Sequence, residues 1–196
     1  QAAPDEPTRR ELLHTIADEA SRLGRLLENI LQMSRLESGA SAPNRQWHVL
    51  EEIVGSALHR TRRELENHPV EVRLAANLPL IHVDGLLLEQ VFVNLLENAA
   101  RYTPEGTRVT ITAIPEEKWL AVSVADDGPG LAAGTEDRIF EKFYRASPIA
   151  DSGRGSGLGL AICRAVAEAH GGKITAANRP GGGADFLLRL PLPVNA

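Results

Sequence analysis

The chain has almost no cysteine. Cys163 is the only cysteine among 196 residues, which excludes an internal disulfide framework and a cysteine-rich metal site and suits a reducing compartment. The neighbours of Cys163 are apolar and no histidine is adjacent to it. We therefore expect a small buried helix residue rather than a nucleophile.

An excess of basic residues is also absent. Lys and Arg number 21 against 26 Asp and Glu, which gives a formal net charge of −5. A chain with this balance has no broad electrostatic surface for nucleic acid. Any site for a phosphate group must therefore be local.

Long apolar runs and internal repeats are missing too. No run approaches the roughly 20 apolar residues that span a bilayer, and no signal peptide opens the chain. The chain begins at Gln1 rather than at a methionine, so we expect a fragment whose upstream part could include membrane spans. With 43% hydrophobic residues, the chain can bury one sizeable core beside a smaller appended element.

The first regular pattern predicts a long helix over residues 9–38. Its apolar residues recur at alternate spacings of three and four, which is heptad spacing, and flanking apolar residues widen the stripe. The stripe comprises Leu13, Ile16, Ala20, Leu23, Leu27 and Ile30, widened by Leu12, Leu26, Leu31 and Met33. A rod of roughly 45 Å cannot bury this stripe on itself, so an oligomeric bundle is favoured over a helix packed on its own domain. Gly39, Pro43 and Asn44 then indicate a linker.

From Gln46 onward, helical and alternating patterns predict one α+β domain. Strands joined as hairpins between helices indicate a layer of helices on a mixed sheet rather than a doubly wound parallel one. Helices are expected over residues 51–66, after an N-cap at Asp84, and over 157–170. Strands are expected over 47–50, 70–74, 80–83, 107–114, 119–125, 173–177 and 184–190. The poorly patterned stretch 131–156 is typical of a functional lid.

Three polar clusters stand out against this pattern. Asn94, Asn98 and Arg101 fall on one face of an otherwise apolar helix. An amide oxygen suits Mg²⁺ and an arginine can pair with phosphate. Asp126, in the run 126–130, ends a strand at a sharp turn and offers a fixed acceptor for an exocyclic amine.

The third cluster is a loop over residues 153–160 with a glycine at every second position, leading into a helix. Such a loop presents backbone N–H groups and the positive end of a helix dipole to one point, which suits a phosphate. Taken singly, each cluster could be surface amides, a turn or a flexible loop. Their joint occurrence favours one functional site.

Four segments resemble the nucleotide-binding boxes of sensor histidine kinases. The matching segments are Asn94-Leu-Leu-Glu-Asn-Ala-Ala-Arg-Tyr-Thr-Pro104 (N box), Asp126-Asp-Gly-Pro-Gly130 and Gly155-Ser-Gly-Leu-Gly-Leu160 (glycine boxes), and Ile139-Phe-Glu-Lys-Phe143 (F box). The helix 9–37 resembles the second helix of the dimerisation and histidine-phosphotransfer hairpin. Within the family, the segments 80–85, 160–164 and 170–180 look most like the Kdp-type, potassium-responsive sensor kinases.

The resemblance implies a GHKL (Bergerat-type) two-layer α/β sandwich that binds ATP with Mg²⁺ beneath a mobile lid. In this scheme Asn98 coordinates Mg²⁺, Asn94 lies beside the metal, Arg101 meets the phosphates and Asp126 accepts from the adenine amino group. Phe140 and Phe143 would anchor the lid on apolar contacts. The implied nucleotide-binding residues are Tyr102, Asp126, Gly128, Gly130, Phe140, Phe143, Arg145, Gly155, Gly157, Leu158 and Gly159.

The same resemblance indicates which reaction of ATP the site would favour. Related ATPases carry a glutamate base at the place of Asn94, and an amide cannot take a proton, so we expect phosphoryl transfer to an imidazole rather than efficient hydrolysis. The family's acceptor-histidine motif is absent, and His14 lacks its context, so the fragment should not phosphorylate itself. Asp185 stands near the place of a threonine that lies close to the base, which leaves a contact from Asp185 open.

These implications give a domain division of residues 1–40 (second hairpin helix), 41–46 (linker) and 47–196 (catalytic ATP-binding domain). The expected partners are a second copy through the 9–38 helix and a response regulator receiver domain, in the cytoplasmic part of a membrane-anchored bacterial sensor. Two alternatives stay open: a GHKL ATPase or ATP-gated clamp, and a nucleotide-free pseudokinase used for dimerisation.

Overall fold

A mixed sheet backed by helices forms the larger part of the molecule. The computed structural model describes residues 6–38, 42–145 and 156–192. The helices are α1 (Glu6–Ser38), α2 (Leu50–Arg60), α3 (Gly85–Tyr102) and α4 (Gly159–Ala169), with a short 3₁₀ helix at Arg138–Phe140. The strands are β1 (Gln46–His48), β2 (Val70–Leu74), β3 (Ile81–Val83), β4 (Val109–Pro115), β5 (Trp119–Asp126), β6 (Lys173–Asn178) and β7 (Ala184–Pro191).

The main sheet has five strands in the order β2-β4-β5-β7-β6. β2 runs parallel to β4, and the other neighbours are antiparallel. The predicted α+β class with a mixed sheet is therefore confirmed. Because Ala125 pairs with Asp185, Asp126 at the end of β5 lies beside the start of β7.

One face of this sheet and the helices α2, α3 and α4 enclose the core. Alternation along the strands turns every second side chain toward the helices. On β4, for example, Val109, Ile111 and Ala113 are fully buried. α3 packs between α2 and α4, and the predicted N-cap is confirmed because Asp84 Oδ1 accepts a hydrogen bond from Leu87 N at 3.2 Å.

One prediction about local structure is wrong. The predicted helix over 51–66 ends at Arg60, where the Thr61 hydroxyl donates to the Ala57 carbonyl at 2.8 Å and competes with the helical ladder. The short strands predicted near residues 47 and 81 are present as β1 and β3. They form a separate antiparallel pair outside the main sheet.

α1 carries the apolar stripe that the heptad spacing predicts. Near its C-terminal end Leu26, Met33 and Leu36 pack against the core, and α1 contacts α4. Much of the stripe is exposed, comprising Leu12, Leu13, Ile16, Leu23, Leu27, Ile30 and Leu31. Among the helices in the described ranges, none is both long and apolar enough to cross a membrane.

The segment between α1 and β1 is fastened to the ends of two helices. Asn44 N donates to Asp84 Oδ2 at 3.0 Å, at the start of α3. Arg45 Nη2 donates to the Ala169 carbonyl at 2.7 Å, at the end of α4. A basic side chain at a helix C-terminus also complements the helix dipole. The chain therefore enters the α+β domain at a fixed place.

The buried side chain of His170 also connects the start of α3 with the end of α4. Its Nε2 accepts from Asp84 N at 2.9 Å, and its Nδ1 lies 2.8 Å from the Val166 carbonyl. A ring that accepts at one nitrogen and donates at the other must be neutral. Burial lowers the pKa of His170, in agreement with a neutral ring.

We expect His170→Leu to lower the free energy of unfolding by about 1–3 kcal/mol at pH 7.5, because Asp84 N loses its acceptor and the Val166 carbonyl loses one of its two donors. A lowered folded-state pKa means that the unfolded chain binds the proton more readily. The histidine's contribution is therefore complete above its ordinary pKa of about 6.5 and is lost as the pH falls through the folded-state value. Urea denaturation at pH 7.5 and 5.5 should show the wild-type advantage shrinking at the lower pH.

The matched control is His59→Leu, which removes an exposed histidine of α2. It should change the stability at pH 7.5 by no more than a few tenths of a kcal/mol, because the side chain is exposed. An advantage of wild type over His170→Leu that stays constant between the two pH values would contradict the neutral-histidine assignment.

Candidate functional site

α3 brings the three predicted polar clusters together. Asn94 Nδ2 donates to the Gly159 carbonyl at 3.1 Å, which joins the middle of α3 to the first turn of α4. At the other end, a Cβ on Gly128 would lie 2.6 Å from Thr103 Cγ2, so the turn after β5 touches the C-cap of α3. The two contacts are separated by nine residues, or about 13 Å of helix. Asn98 lies on the stretch between them.

Asn94 is buried, with 6% of its surface exposed. Its Oδ1 accepts from Gln90 Nε2 at 3.0 Å while its Nδ2 donates to Gly159. An amide has two donor hydrogens and two lone pairs; the Asn94 amide also interacts with the Cys163 thiol, so one lone pair is still available. Gln90 was not among the predicted site residues. Its spacing of four from Asn94 on the same helix is the signal that could have identified it.

Asn98 is half-buried and its amide makes no hydrogen bond within the described ranges. Its oxygen is therefore available to a cation. Residues 6–38, 42–145 and 156–192 contain no cluster of three His, Cys, Asp or Glu side chains that could hold a metal. Mg²⁺ bound with a nucleotide needs few protein ligands because phosphate oxygens and water supply the rest, so this donor set fits. Arg101 and Tyr102 are exposed on the following turn of α3.

Asp126 is a buried carboxylate at the end of β5, with 6% exposure. Its Oδ1 accepts from Gly128 N at 2.9 Å and from Ala184 N at 3.3 Å. In the described part of the chain its Oδ2 accepts no hydrogen bond, so one oxygen is left for a ligand donor. Arg179 Nη1 fixes the turn by donating to the Asp126 carbonyl at 2.9 Å and to Asp127 Oδ1 at 2.5 Å.

Asn178 secures the next part of this turn. Its Oδ1 accepts from Leu131 N at 2.6 Å, and its Nδ2 donates to the Leu131 carbonyl at 2.9 Å. Gly130 passes directly beside Asn178 Oδ1. Asn178 and Arg179 thus hold both sides of the segment from Asp126 to Leu131, although sequence reasoning gave neither residue a role in the site.

The segment after this turn is anchored by Phe140. Its side chain is 3% exposed and meets the edge of Phe186 at a ring separation of 6.5 Å. The guanidinium of Arg164, on α4, lies 4.3 Å from the centre of the Phe140 ring, within the range of a cation–π contact. The expected apolar anchor is therefore present at Phe140.

The expectation of an apolar anchor at Phe143 is wrong in this structure. Its side chain is 64% exposed, because its backbone takes a positive φ of 62° and turns against Gly157. Phe143 N donates to the Gly157 carbonyl at 2.9 Å. Gly157 itself has φ +67°, and a Cβ there would lie 2.8 Å from the Phe143 backbone, so only glycine fits.

The remaining predicted residues lie in different settings. Leu158 is 2% exposed, so its side chain belongs to the core and only its backbone can face a ligand. Arg145 is exposed beside the segment that Phe140 anchors. Gly155 and residues 146–154 of the predicted lid lie outside the described residues. Cys163 is fully buried, and burial raises its pKa to about 12, which agrees with the expectation that it is not a nucleophile.

Asp185 does not face Asp126. Its Oδ1 accepts from Ser123 Oγ at 2.5 Å. Both side chains lie on the sheet face opposite the helices, since their neighbours Val124 and Phe186 point into the core. The residue of β7 that contacts the buried carboxylate is Ala184, through its backbone N–H. This orientation argues against the contact with the base that the sequence left open for Asp185.

Comparison with known proteins adds the context for this geometry. Residues 83–194 match the family described as histidine kinase-, DNA gyrase B-, and HSP90-like ATPase, and residues 1–39 match the His Kinase A (phospho-acceptor) domain. The sensor protein KdpD of Escherichia coli (strain K12) is 47% identical over 167 residues, covering 85% of this chain and 18% of that protein. The chain spans about a fifth of the length of the KdpD relatives it matches and 48% of the length of the sensor-like histidine kinase SenX3 of Mycobacterium tuberculosis.

Solved structures give the same result for the fold. The full-length structure of ShkA in complex with AMPPNP has a TM-score of 0.81 and 27% identity, and the match covers 100% of this chain and 41% of that one. The histidine kinase ThkA in complex with the response regulator protein TrrA has a TM-score of 0.75 and 25% identity, with 96% and 53% coverage. The predicted two-layer sandwich is confirmed by these likenesses.

Proposed function

The chain belongs to the histidine kinase-, DNA gyrase B-, and HSP90-like ATPase family, and from this premise we propose that it is the ATP-binding catalytic module of a sensor histidine kinase. In this role it transfers the γ-phosphoryl group of ATP to a histidine, for relay to a response regulator. One observation carries the proposal: α3 contacts the glycine loop through Asn94 and the Asp126 turn through Thr103. The glycine loop and the Asp126 turn are thus both in contact with α3, one at its middle and the other at its C-terminal end.

Within this site the roles follow from what each group can still bind. The free Oδ2 of Asp126 would accept from the exocyclic amine of adenine. The Asn98 oxygen would coordinate Mg²⁺, which neutralises phosphate charge when bound. Arg101 and the backbone N–H groups of the 157–159 loop would meet the phosphates, since a helix N-terminus favours anions. Tyr102 would pack near the base.

The site holds no base for hydrolytic water at Asn94. Its amide cannot take up a proton, and its Nδ2 donates to the protein. Catalysis would then rest on positioning and charge neutralisation, with an incoming imidazole as the nucleophile. This argument favours phosphoryl transfer over the alternative of an ATPase or ATP-gated clamp.

For the whole protein we propose a homodimer and an acceptor histidine on a helix that precedes α1. The exposed apolar stripe of α1 would pack against the same helix of a second copy, because a stripe this long needs a partner. The receiver domain of a response regulator would be the next acceptor, in the cytoplasmic part of a membrane-anchored sensor.

The test is phosphoryl transfer from γ-labelled ATP with Mg²⁺. Residues 1–196 alone should take up no label and release almost no phosphate. The longer protein that includes the preceding helix should become labelled in a form that acid releases and base does not, as expected of a phosphohistidine. Steady release of phosphate by the short chain alone would instead favour the ATP-gated clamp and contradict the proposal.

A further inference from the structure

We propose that Gln90 is a positioning residue for the phosphate loop: its amide N–H holds the Asn94 oxygen in place, and Asn94 in turn holds the first turn of α4. The inference rests on the proposed function, since it concerns the same nucleotide site. Gln90 lies one helical turn before Asn94 on α3 and is half-buried.

Two hydrogen bonds run in the same direction, from Gln90 to Asn94 and from Asn94 to Gly159. Gln90 Nε2 donates to Asn94 Oδ1 at 3.0 Å, and Asn94 Nδ2 donates to the Gly159 carbonyl at 3.1 Å. If the Asn94 amide were reversed, its oxygen would face the Gly159 carbonyl, and two acceptors cannot bond. The Gly159 carbonyl therefore fixes which end of the Asn94 amide faces α4. The Gln90 N–H then holds the Asn94 oxygen on the opposite side.

The contact that Asn94 makes matters because of where Gly159 lies. Gly159 is the first residue of α4 and follows the glycine loop. A Cβ at this position would lie 3.5 Å from Asn94 Cγ, so helix and amide are already in van der Waals contact. Leu158, at the N-cap, makes no side-chain capping hydrogen bond, and its N–H donates to Ser156 Oγ at 3.2 Å. The hydrogen bond from Asn94 to Gly159 therefore sets the distance between α3, which carries Asn98, and the backbone N–H groups of the glycine loop.

Substitutions at position 90 can separate donor chemistry from shape. Gln90→Glu keeps the shape and loses the donor, and Gln90→Met also lacks the donor. Gln90→Lys changes the shape but restores a donor, which a half-buried position can accommodate. Gln46→Glu, at an exposed position on β1, is the control for the added negative charge.

The measurements are calorimetric affinities for Mg²⁺ with a non-hydrolysable ATP analogue and, separately, for adenosine. We expect Gln90→Glu and Gln90→Met to bind the triphosphate about tenfold more weakly, because the Asn94 side chain loses the donor that holds its oxygen in place. Gln90→Lys should recover most of that loss. Adenosine, which has no phosphates, should bind all four proteins with the same affinity, and Gln46→Glu should match wild type for both ligands.

The outcomes distinguish this inference from the proposed function. If wild type binds no Mg²⁺-triphosphate, the proposed function fails. If wild type binds but Gln90→Glu and Gln90→Met bind equally well, only the role of Gln90 fails. Equal weakening for adenosine and triphosphate, or Gln90→Lys no better than Gln90→Glu, would indicate a merely structural glutamine and would also overturn the inference.

Discussion

Asn98→Ala is expected to lose at least about 100-fold in affinity for Mg²⁺ with a non-hydrolysable ATP analogue. The amide oxygen of Asn98 makes no hydrogen bond within the described ranges, so its removal costs the fold little. It would, however, remove the protein's oxygen ligand to the metal, a loss at least as large as that of an outer-shell partner. Titration calorimetry in the presence of Mg²⁺ measures the effect.

Two comparisons make this result specific to the metal. ADP in the presence of EDTA should bind Asn98→Ala and wild type with similar affinity, because without Mg²⁺ the amide has no ligand to coordinate. Asn67→Ala is the matched variant: it removes an asparagine that hydrogen-bonds Glu105 at 3.1 Å, and it should bind the Mg²⁺ complex normally. Wild-type affinity in Asn98→Ala would refute the metal-binding role.

The sequence was sufficient to predict those parts of the molecule that depend on local pattern. Period-two alternation predicted the hairpin of β4 and β5. Helical spacing predicted that Asn94, Asn98 and Arg101 share a face of α3, and Asp84 was predicted as its N-cap. Each of these results needs only neighbours within a few residues of the chain.

What could not be predicted depends on contacts between distant segments. Arg179 reaches Asp126 across 53 residues and Asn178 reaches Leu131 across 47, and no spacing rule links such pairs. A single residue of register decides that Ala184 meets Asp126 while Asp185 faces away, since successive side chains of a strand point to opposite faces. The pairing of β1 with β3 was missed because strands of three residues carry too little pattern.

Gly183→Ala is expected to unfold the domain or to destabilise it by more than about 3 kcal/mol, with loss of nucleotide binding. Gly183 lies directly beneath the Asp126 turn, where a Cβ would meet the Asp126 carbonyl oxygen at 1.9 Å. Its φ of +90° adds a strain of about 1–2 kcal/mol for any L-residue with a side chain. To accept the methyl group the two strands must separate, which would also displace the Ala184 N–H from Asp126 Oδ1.

The same turn supplies the control that separates backbone strain from steric overlap. Gly181 has a similar φ of +97°, but a Cβ there would have no atom within 4 Å. Gly181→Ala should therefore be destabilised only by the backbone strain of about 1–2 kcal/mol, and its affinity for nucleotide should be unchanged. Thermal and urea denaturation of both variants measure the difference. Equal stability of the two variants would mean that β5 and β7 can separate at this point at little cost, and that Asp126 is not held by close contact with Gly183. If Gly183→Ala were stable and bound ATP normally, the tight packing of this turn would not be required for recognition of the base.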